Sequence, residues 1–131
     1  MKDQAGSTGT FTPPRVLVAD DDPGMREWLR DSLESAGYHV AEAVNGRKAT
    51  DLLKRRSVDL CITDLIMPDQ EGIETIQLLR REYPALKIIA ISGSSIPDML
   101  NVSKLLGAEA TLQKPIRLDT LLETVKQVLE A

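Results

Sequence analysis

Apolar and polar positions alternate along this chain in a pattern that repeats five times after residue 14. Each repeat has a short apolar run, typical of a strand, followed by a longer stretch with the apolar period of a helix. The predicted strands lie at 16–19, 39–43, 60–62, 88–91 and 110–113. The predicted helices lie at 25–36, 49–53, 73–79, 99–106 and 118–129.

The composition of the five predicted strands orders them within a sheet. The first, third and fourth are continuously apolar, as strands covered by helices on both faces should be. The second is more mixed and the fifth is short and half polar, so both are predicted at sheet edges. Right-handed crossovers and helices on both faces then predict an α/β fold with a doubly wound five-stranded parallel sheet and five helices. The strand order 2-1-3-4-5, which is a known order for such sheets, puts the two mixed strands at the edges.

Local signals mark the domain boundaries. Residues 1–14 are rich in Gly, Ser, Thr and Pro and have no amphipathic period, which predicts a flexible N-terminal tail before one domain at 15–131. Asp22 before Pro23 predicts an N-cap with proline in the first turn, while Gly37 and Gly107 stand where helices should stop.

Composition excludes several functional classes. Twenty acidic and 16 basic side chains give a net charge of −4, and no Lys/Arg run is long enough to follow a nucleic-acid backbone, so direct nucleic-acid binding is not expected. No apolar stretch approaches the roughly 20 residues of a membrane span, and no secretion signal is visible. The single cysteine, Cys61, is predicted in the core, and a cytoplasmic location is expected.

Polar side chains follow four of the predicted strands. Asp20 and Asp21 follow the first strand, Asp64 the third, Ser92 the fourth and Lys114 the fifth. Ligands of such sheets bind beyond the carboxyl ends of the strands, where the winding direction reverses. We therefore expect these five side chains to share one mouth.

The residue types at this mouth suit phosphoryl chemistry. Clustered carboxylates repel one another and call for a hard divalent ion, for which Mg²⁺ is the natural choice. Asp64 is then available as a nucleophile that forms an aspartyl phosphate, while Lys114 and Ser92 suit the phosphoryl oxygens.

Each signal also has an ordinary structural interpretation. Successive aspartates before a helix often serve only as an N-cap, Asp64 can end a strand in a turn, and Lys114 before a proline can be an exposed turn residue. Their joint placement favours function, because independent turns would otherwise bring these residue types to one sheet edge by accident.

The motifs resemble those of the receiver domains of two-component response regulators, of CheY-like fold, over residues 15–130. The resemblance rests on VLVADDDP at 16–23, DLIMP at 64–68, AISG at 90–93 and GAEATLQKP at 107–115. It implies that Asp64 accepts a phosphoryl group from a histidine kinase or a histidine phosphotransfer protein. It also implies that Asp21, Asp64 and the backbone carbonyl of Ile66 ligate Mg²⁺, with Asp20 acting through water.

The resemblance further implies a switch. Lys114 would pair with the phosphoryl oxygens, Ser92 would turn inward to bond one of them, and the Lys114–Pro115 peptide would be cis. The protein would then signal to a downstream protein target that the sequence does not identify, as a monomer or a phosphorylation-dependent dimer. It would not be an enzyme beyond its own phosphorylation and dephosphorylation.

Two positions depart from the family's common pattern. Thr111 stands where many receivers have a switching Tyr or Phe, so we expect output to depend more on backbone movement of the loop at 92–97. Ile66, two residues beyond the acceptor, offers no hydrogen-bonding group to an attacking water, which predicts slow self-dephosphorylation.

Competing functions remain open at this stage. An aspartate- and Mg²⁺-dependent phosphatase or phosphotransferase would share the chemistry, but Ile66 replaces the second carboxylate that such an enzyme needs two positions beyond Asp64. A non-phosphorylated interaction module and a flavin binder are disfavoured by the intact acidic set and by the low aromatic content of 3%. No output domain is visible, so the chain is either a single-domain regulator or a fragment of a longer one.

Overall fold

The computed structural model describes residues 12–65, 72–93, 104 and 107–131. These residues form nine elements: β1 (Arg15–Ala19), α1 (Pro23–Ser35), β2 (His39–Ala43), α2 (Gly46–Leu53), β3 (Leu60–Asp64), α3 (Gly72–Glu82), β4 (Lys87–Ser92), β5 (Ala110–Gln113) and α4 (Leu118–Glu130). The predicted helix at 99–106 lies outside the described residues except for Lys104, so it stays a prediction.

All five strands form one parallel sheet in the order β2-β1-β3-β4-β5. This confirms the predicted order, and it confirms that the mixed second strand and the short fifth strand are the edges. β3 is buried along its whole length, whereas β2 has exposed and partly buried positions before its buried last residue, Ala43. The order places the reversal of winding between β1 and β3.

The core has two halves, one on each face of the sheet, because successive strand residues point to opposite sides. Leu17 and Cys61 face the half that α2 and α3 cover, with Ala49, Leu53, Ile76 and Leu79 among its buried members. Val18 and Ile62 face the half that α1 and α4 cover, with Leu29, Leu33, Leu121 and Val125 among its buried members. The continuous apolar runs thus supply both faces at once.

Capping and turn residues set the ends of the helices. Asp22 Oδ1 accepts a hydrogen bond of 3.0 Å from the Gly24 amide, which confirms the predicted N-cap of α1 before Pro23. Gly37 follows the end of α1 with a φ of +98°, a region that favours glycine, which confirms the predicted stop of that helix. Gly107 also has a positive φ, of +120°, but the helix that it is predicted to end lies outside the described residues. Among the described helices, none is both long and apolar enough to cross a bilayer.

Candidate functional site

The register of the sheet brings the predicted site residues together at its carboxyl edge. Ala19 pairs with Thr63, so Asp20 and Asp64 follow at the same level on neighbouring strands. On the other side of β3, Ser92 ends β4, and its carbonyl accepts a hydrogen bond of 2.8 Å from the Lys114 amide beyond β5. Parallel strands that end at one level therefore converge on one mouth, as expected from the sequence.

A lysine bridges two carboxylates at the centre of this mouth. Lys114 Nζ lies 2.9 Å from Asp64 Oδ2 and 3.1 Å from Asp20 Oδ2. One carboxylate oxygen from each of Asp20, Asp21 and Asp64 lies within 4.8 Å of the others. Four of the five predicted side chains thus form one charged cluster of three negative groups and one positive group.

Burial differs sharply among the three aspartates. Asp20 is 1% exposed and Asp64 is 6% exposed, whereas Asp21 is exposed to solvent. Asp20 Oδ1 accepts a hydrogen bond of 2.9 Å from the Asp22 amide. No donor among the described residues reaches Asp20 Oδ2 with hydrogen-bond geometry, so its contact with Lys114 is an ion pair without a well-directed hydrogen bond.

The electrostatics of the cluster show that its negative charge is incompletely balanced. Burial raises the pKa of Asp20, the Asp22 amide opposes this, and the negative charge of Asp64 adds to the rise. Burial works against the charged form of Lys114, but the hydrogen bond and charge of Asp64, followed by the close contact with the Asp20 carboxylate, outweigh it and raise the pKa of Lys114. Lys114 therefore stays protonated, and its charge offsets only part of the cost of burying the Asp20 carboxylate.

These features fit a hard divalent cation. The three aspartates offer oxygen atoms at mutual distances that one ion can span, and the buried Asp20 Oδ2 has an acceptor position that no described donor satisfies. Mg²⁺ binds through one or two carboxylates and keeps other positions for water or phosphate oxygens. The acidic cluster is thus compatible with a metal site. Ile66, whose carbonyl is the remaining predicted ligand, lies outside the described residues.

The predicted switch elements are only partly within the described chain. Ser92 is fully buried at the end of β4, and the Lys114–Pro115 peptide is cis, which confirms that prediction. Thr111 is half-buried on β5 opposite Ala90. Most of the loop at 92–97, to which we assign the output movement, lies outside the described residues, so that role stays a prediction.

Sequence reasoning missed two residues that contact the site. The Arg26 guanidinium donates a hydrogen bond of 2.7 Å to the backbone carbonyl of Asp20. A Cβ atom at Gly93 would lie 3.1 Å from Lys114 Cδ, so the absence of a side chain lets Lys114 pass close to β4. The helical spacing of Arg26 after the aspartates and the glycine directly after Ser92 were the available signals, but neither identifies its contact without the fold.

Comparisons with known proteins agree with this geometry. The family model described as the response regulator receiver domain matches residues 16–126. The receiver protein CpdR of Brucella abortus is 35% identical over 89% of this chain and 98% of its own length. The transcriptional regulatory protein GlrR of Escherichia coli is 33% identical over 90% of this chain, which spans only 27% of GlrR.

A solved structure of a similar protein has the same fold and was determined with a bound ligand. The response regulator TrrA of Thermotoga maritima, determined in complex with Mg²⁺ and BeF, is 32% identical, with a TM-score of 0.80 over 88% of this chain and 98% of that one. The family match covers far more than half of the chain, and the sheet order agrees with it. This chain therefore belongs to the response regulator receiver domains of two-component signalling systems.

Proposed function

We propose that this receiver domain accepts a phosphoryl group on Asp64 in a Mg²⁺-dependent reaction. The donor is a histidine kinase or a histidine phosphotransfer protein, and phosphorylation changes the conformation that a downstream protein recognises. Asp20, Asp21, Asp64 and the carbonyl of Ile66 hold the ion. Lys114 and Ser92 contact the phosphoryl oxygens.

The observation that carries this proposal is the position of Lys114 between two buried carboxylates. Its ammonium group lies 2.9 Å from Asp64 Oδ2, close enough to pair with a phosphoryl group attached to that carboxylate. The Asp64 carboxylate also belongs to a set of three aspartates whose oxygens lie within 4.8 Å of one another, close enough for one metal ion to bind them. The arrangement supplies a nucleophile, a cation that faces it and ligands for a metal ion.

Transfer of the phosphoryl group from the donor to Asp64 needs no separate acid or base. A carboxylate oxygen of Asp64 attacks phosphorus, the bond from phosphorus to the donor nitrogen breaks, and the donor keeps the electron pair of that bond. Mg²⁺ supplies neutralisation of the charge on the phosphoryl oxygens when it is bound. Lys114 stays protonated, because its pKa is raised by Asp64 and Asp20 against the effect of burial. We propose no turnover of external substrates.

The proposal is tested by incubation with acetyl phosphate and Mg²⁺, followed by intact mass measurement. The wild type should gain the mass of one phosphoryl group, and EDTA should abolish the gain. Asp64→Asn should show none, because the amide cannot form an acyl phosphate. Asp22→Asn is the matched control: it changes a neighbouring aspartate, and asparagine still caps α1. A phosphoryl adduct on Asp64→Asn, or no adduct on the wild type, would contradict the proposal.

The same reaction distinguishes the enzymatic alternative. A phosphatase would release inorganic phosphate continuously from a small phosphate ester, with many turnovers per chain. We expect at most one phosphoryl group per chain and slow release of it. Multiple turnovers of an ester that depend on Asp64 would favour the phosphatase.

Ile66 is expected to lengthen the life of the phosphorylated state. Its side chain cannot hydrogen-bond the water that attacks the acyl phosphate, so release should take much longer than seconds. Ile66→Asn should shorten the lifetime, measured as loss of the adduct after the donor is removed. A wild-type lifetime of only seconds would contradict this role of Ile66 and leave phosphorylation of Asp64 intact.

A further inference from the structure

Arg26 links the acidic cluster to the neighbouring edge strand. It lies in the first turn of α1, and its Nη1 donates a hydrogen bond of 2.7 Å to the carbonyl oxygen of Asp20. Its Nε lies 3.5 Å from Glu42 Oε1 on β2. The Arg26 side chain is only 16% exposed, so this guanidinium is held within the structure rather than extended into solvent.

We propose that Arg26, oriented by Glu42, is a positioning residue for the metal-binding aspartates. The inference rests on the proposed function, because it assigns Mg²⁺ to this cluster. Arg26 does not reach the carboxylates through its hydrogen bond. It hydrogen-bonds the backbone between the two aspartates, and through that backbone it sets the directions in which the Asp20 and Asp21 side chains point.

The peptide unit between Asp20 and Asp21 explains this action. The Asp20 carbonyl and the Asp21 amide belong to one planar group, so a bond to the carbonyl fixes the rotation of the whole unit. The Asp22 amide holds the other side of the turn through its 2.9 Å hydrogen bond to Asp20 Oδ1. Asp21 is exposed, so packing constrains its side chain little and its direction depends mainly on the backbone.

Arg30 provides a matched comparison within the same helix. It lies one turn after Arg26 and also pairs with Glu42, with Nη1 3.1 Å from Oε2. Its side chain is 36% exposed, and its other partners among the described residues are Asp31 and Glu34 rather than the acidic cluster. Loss of Arg30 therefore removes a positive charge from α1 and a contact to Glu42, but it leaves the hydrogen bond from Arg26 to the Asp20 carbonyl in place.

The sign of the effect separates positioning from simple charge. Removing a cation near an anionic site leaves more negative potential there, which by Coulomb attraction would tighten Mg²⁺ binding. Loss of a group that orients metal ligands weakens binding, by about 10- to 100-fold where such groups have been replaced. Arg26→Met should therefore weaken Mg²⁺ binding although it makes the site more negative.

The experiment measures the Mg²⁺ dissociation constant of the whole chain by calorimetry. We expect about a tenfold increase for Arg26→Met, a smaller increase for Glu42→Gln, and a change within about twofold for Arg30→Met. Arg26→Lys keeps the charge but replaces the planar fork with a point donor, so its constant should lie between wild type and Arg26→Met. When Mg²⁺ is raised to saturation, acetyl phosphate should again label each variant, because the expected defect is in Mg²⁺ affinity.

The possible results separate a failure of the role of Arg26 from a failure of the proposed function. Unchanged or tighter Mg²⁺ binding by Arg26→Met, or equal weakening by Arg30→Met, would overturn the role of Arg26. If Arg26→Met does not fold, Arg26→Lys and Glu42→Gln decide, and wild-type affinity in both would overturn it. A wild type that binds no Mg²⁺ and takes no phosphoryl group overturns the proposed function itself. A wild type that does both leaves only Arg26 in question.

Discussion

Replacement of Lys114 by methionine tests whether the acidic cluster depends on charge compensation. The substitution keeps a long apolar stem but removes the ammonium group that lies 2.9 Å from Asp64 Oδ2 and 3.1 Å from Asp20 Oδ2. At an effective dielectric constant of about 20, each contact represents roughly 5–6 kcal/mol of attraction before desolvation. Removing one partner of a buried pair costs 3–5 kcal/mol in practice, and the partial exposure of Lys114 favours the lower end, about 3 kcal/mol.

Mg²⁺ should rescue much of that loss. Without the ion, Lys114→Met leaves the carboxylates of Asp20, Asp21 and Asp64 close together with no described ammonium between them. A bound divalent cation takes over their neutralisation, so Mg²⁺ should raise the free energy of unfolding more in the variant than in the wild type. The assay is urea unfolding followed by circular dichroism, in EDTA and in saturating MgCl₂.

A second lysine supplies the control for this assay. Lys126 is exposed on α4, so Lys126→Met should change stability by no more than about 0.5 kcal/mol. The reasoning would be refuted if Lys114→Met were as stable as Lys126→Met in EDTA. It would also be refuted if Mg²⁺ stabilised the Lys114→Met variant and the wild type equally.

Three further predictions concern pH and backbone strain. Burial raises the pKa of Asp20 above its ordinary 3.8, so the native state binds this proton at higher pH than the unfolded chain does. In EDTA, Asp20→Asn should therefore be more stable than wild type at neutral pH, with an advantage that shrinks as pH falls towards 3.8; an advantage independent of pH would contradict this. Burial raises the pKa of Cys61 from 9.0 to about 12, so the unfolded chain loses this proton at lower pH than the native state does. Between pH 9 and about 12 the wild type should therefore lose about 1.4 kcal/mol of stability per pH unit relative to Cys61→Ala, and parallel pH profiles would refute the assignment. Gly107→Ala should cost at least about 1 kcal/mol more than Gly37→Ala in urea unfolding, because both glycines have positive φ but only the Cβ at 107 would meet Arg80, at 2.8 Å from Nε; equal losses would contradict this.

Most of the fold was predictable because it is encoded locally. Continuous apolar runs such as 88–91 identify interior strands wherever helices cover both faces, and the period of 3.6 identifies α1 and α4 without knowledge of their partners. The cap at Asp22 and the reversal at Gly37 are also local, since each depends on the conformation of its own short segment. The strand order was matched to a known order of doubly wound sheets that puts the mixed strands at the edges, and the handedness of the crossovers alone does not fix it.

The sequence predicts which residues form the site, but not how deeply each is buried or which charges pair. The sequence places Asp20 and Asp21 side by side, yet only the packed structure makes one fully buried and the other exposed. Likewise, Lys114 was expected at the mouth, but its pairing with two carboxylates rather than one depends on how β5 lies beside β4. The roles of these residues in phosphoryl transfer stay predictions that the experiments above address.

The sequence by itself determined which residue types end each strand, and therefore which side chains meet at the carboxyl edge of the sheet. Only the tertiary structure decided the contacts between distant segments, such as that of Arg26 with the Asp20 carbonyl and Glu42. The physical reason is one of range: strand and helix patterns depend on neighbours in the chain, whereas a hydrogen bond between side chain and backbone depends on ångström-scale distances set by the packing of the whole domain.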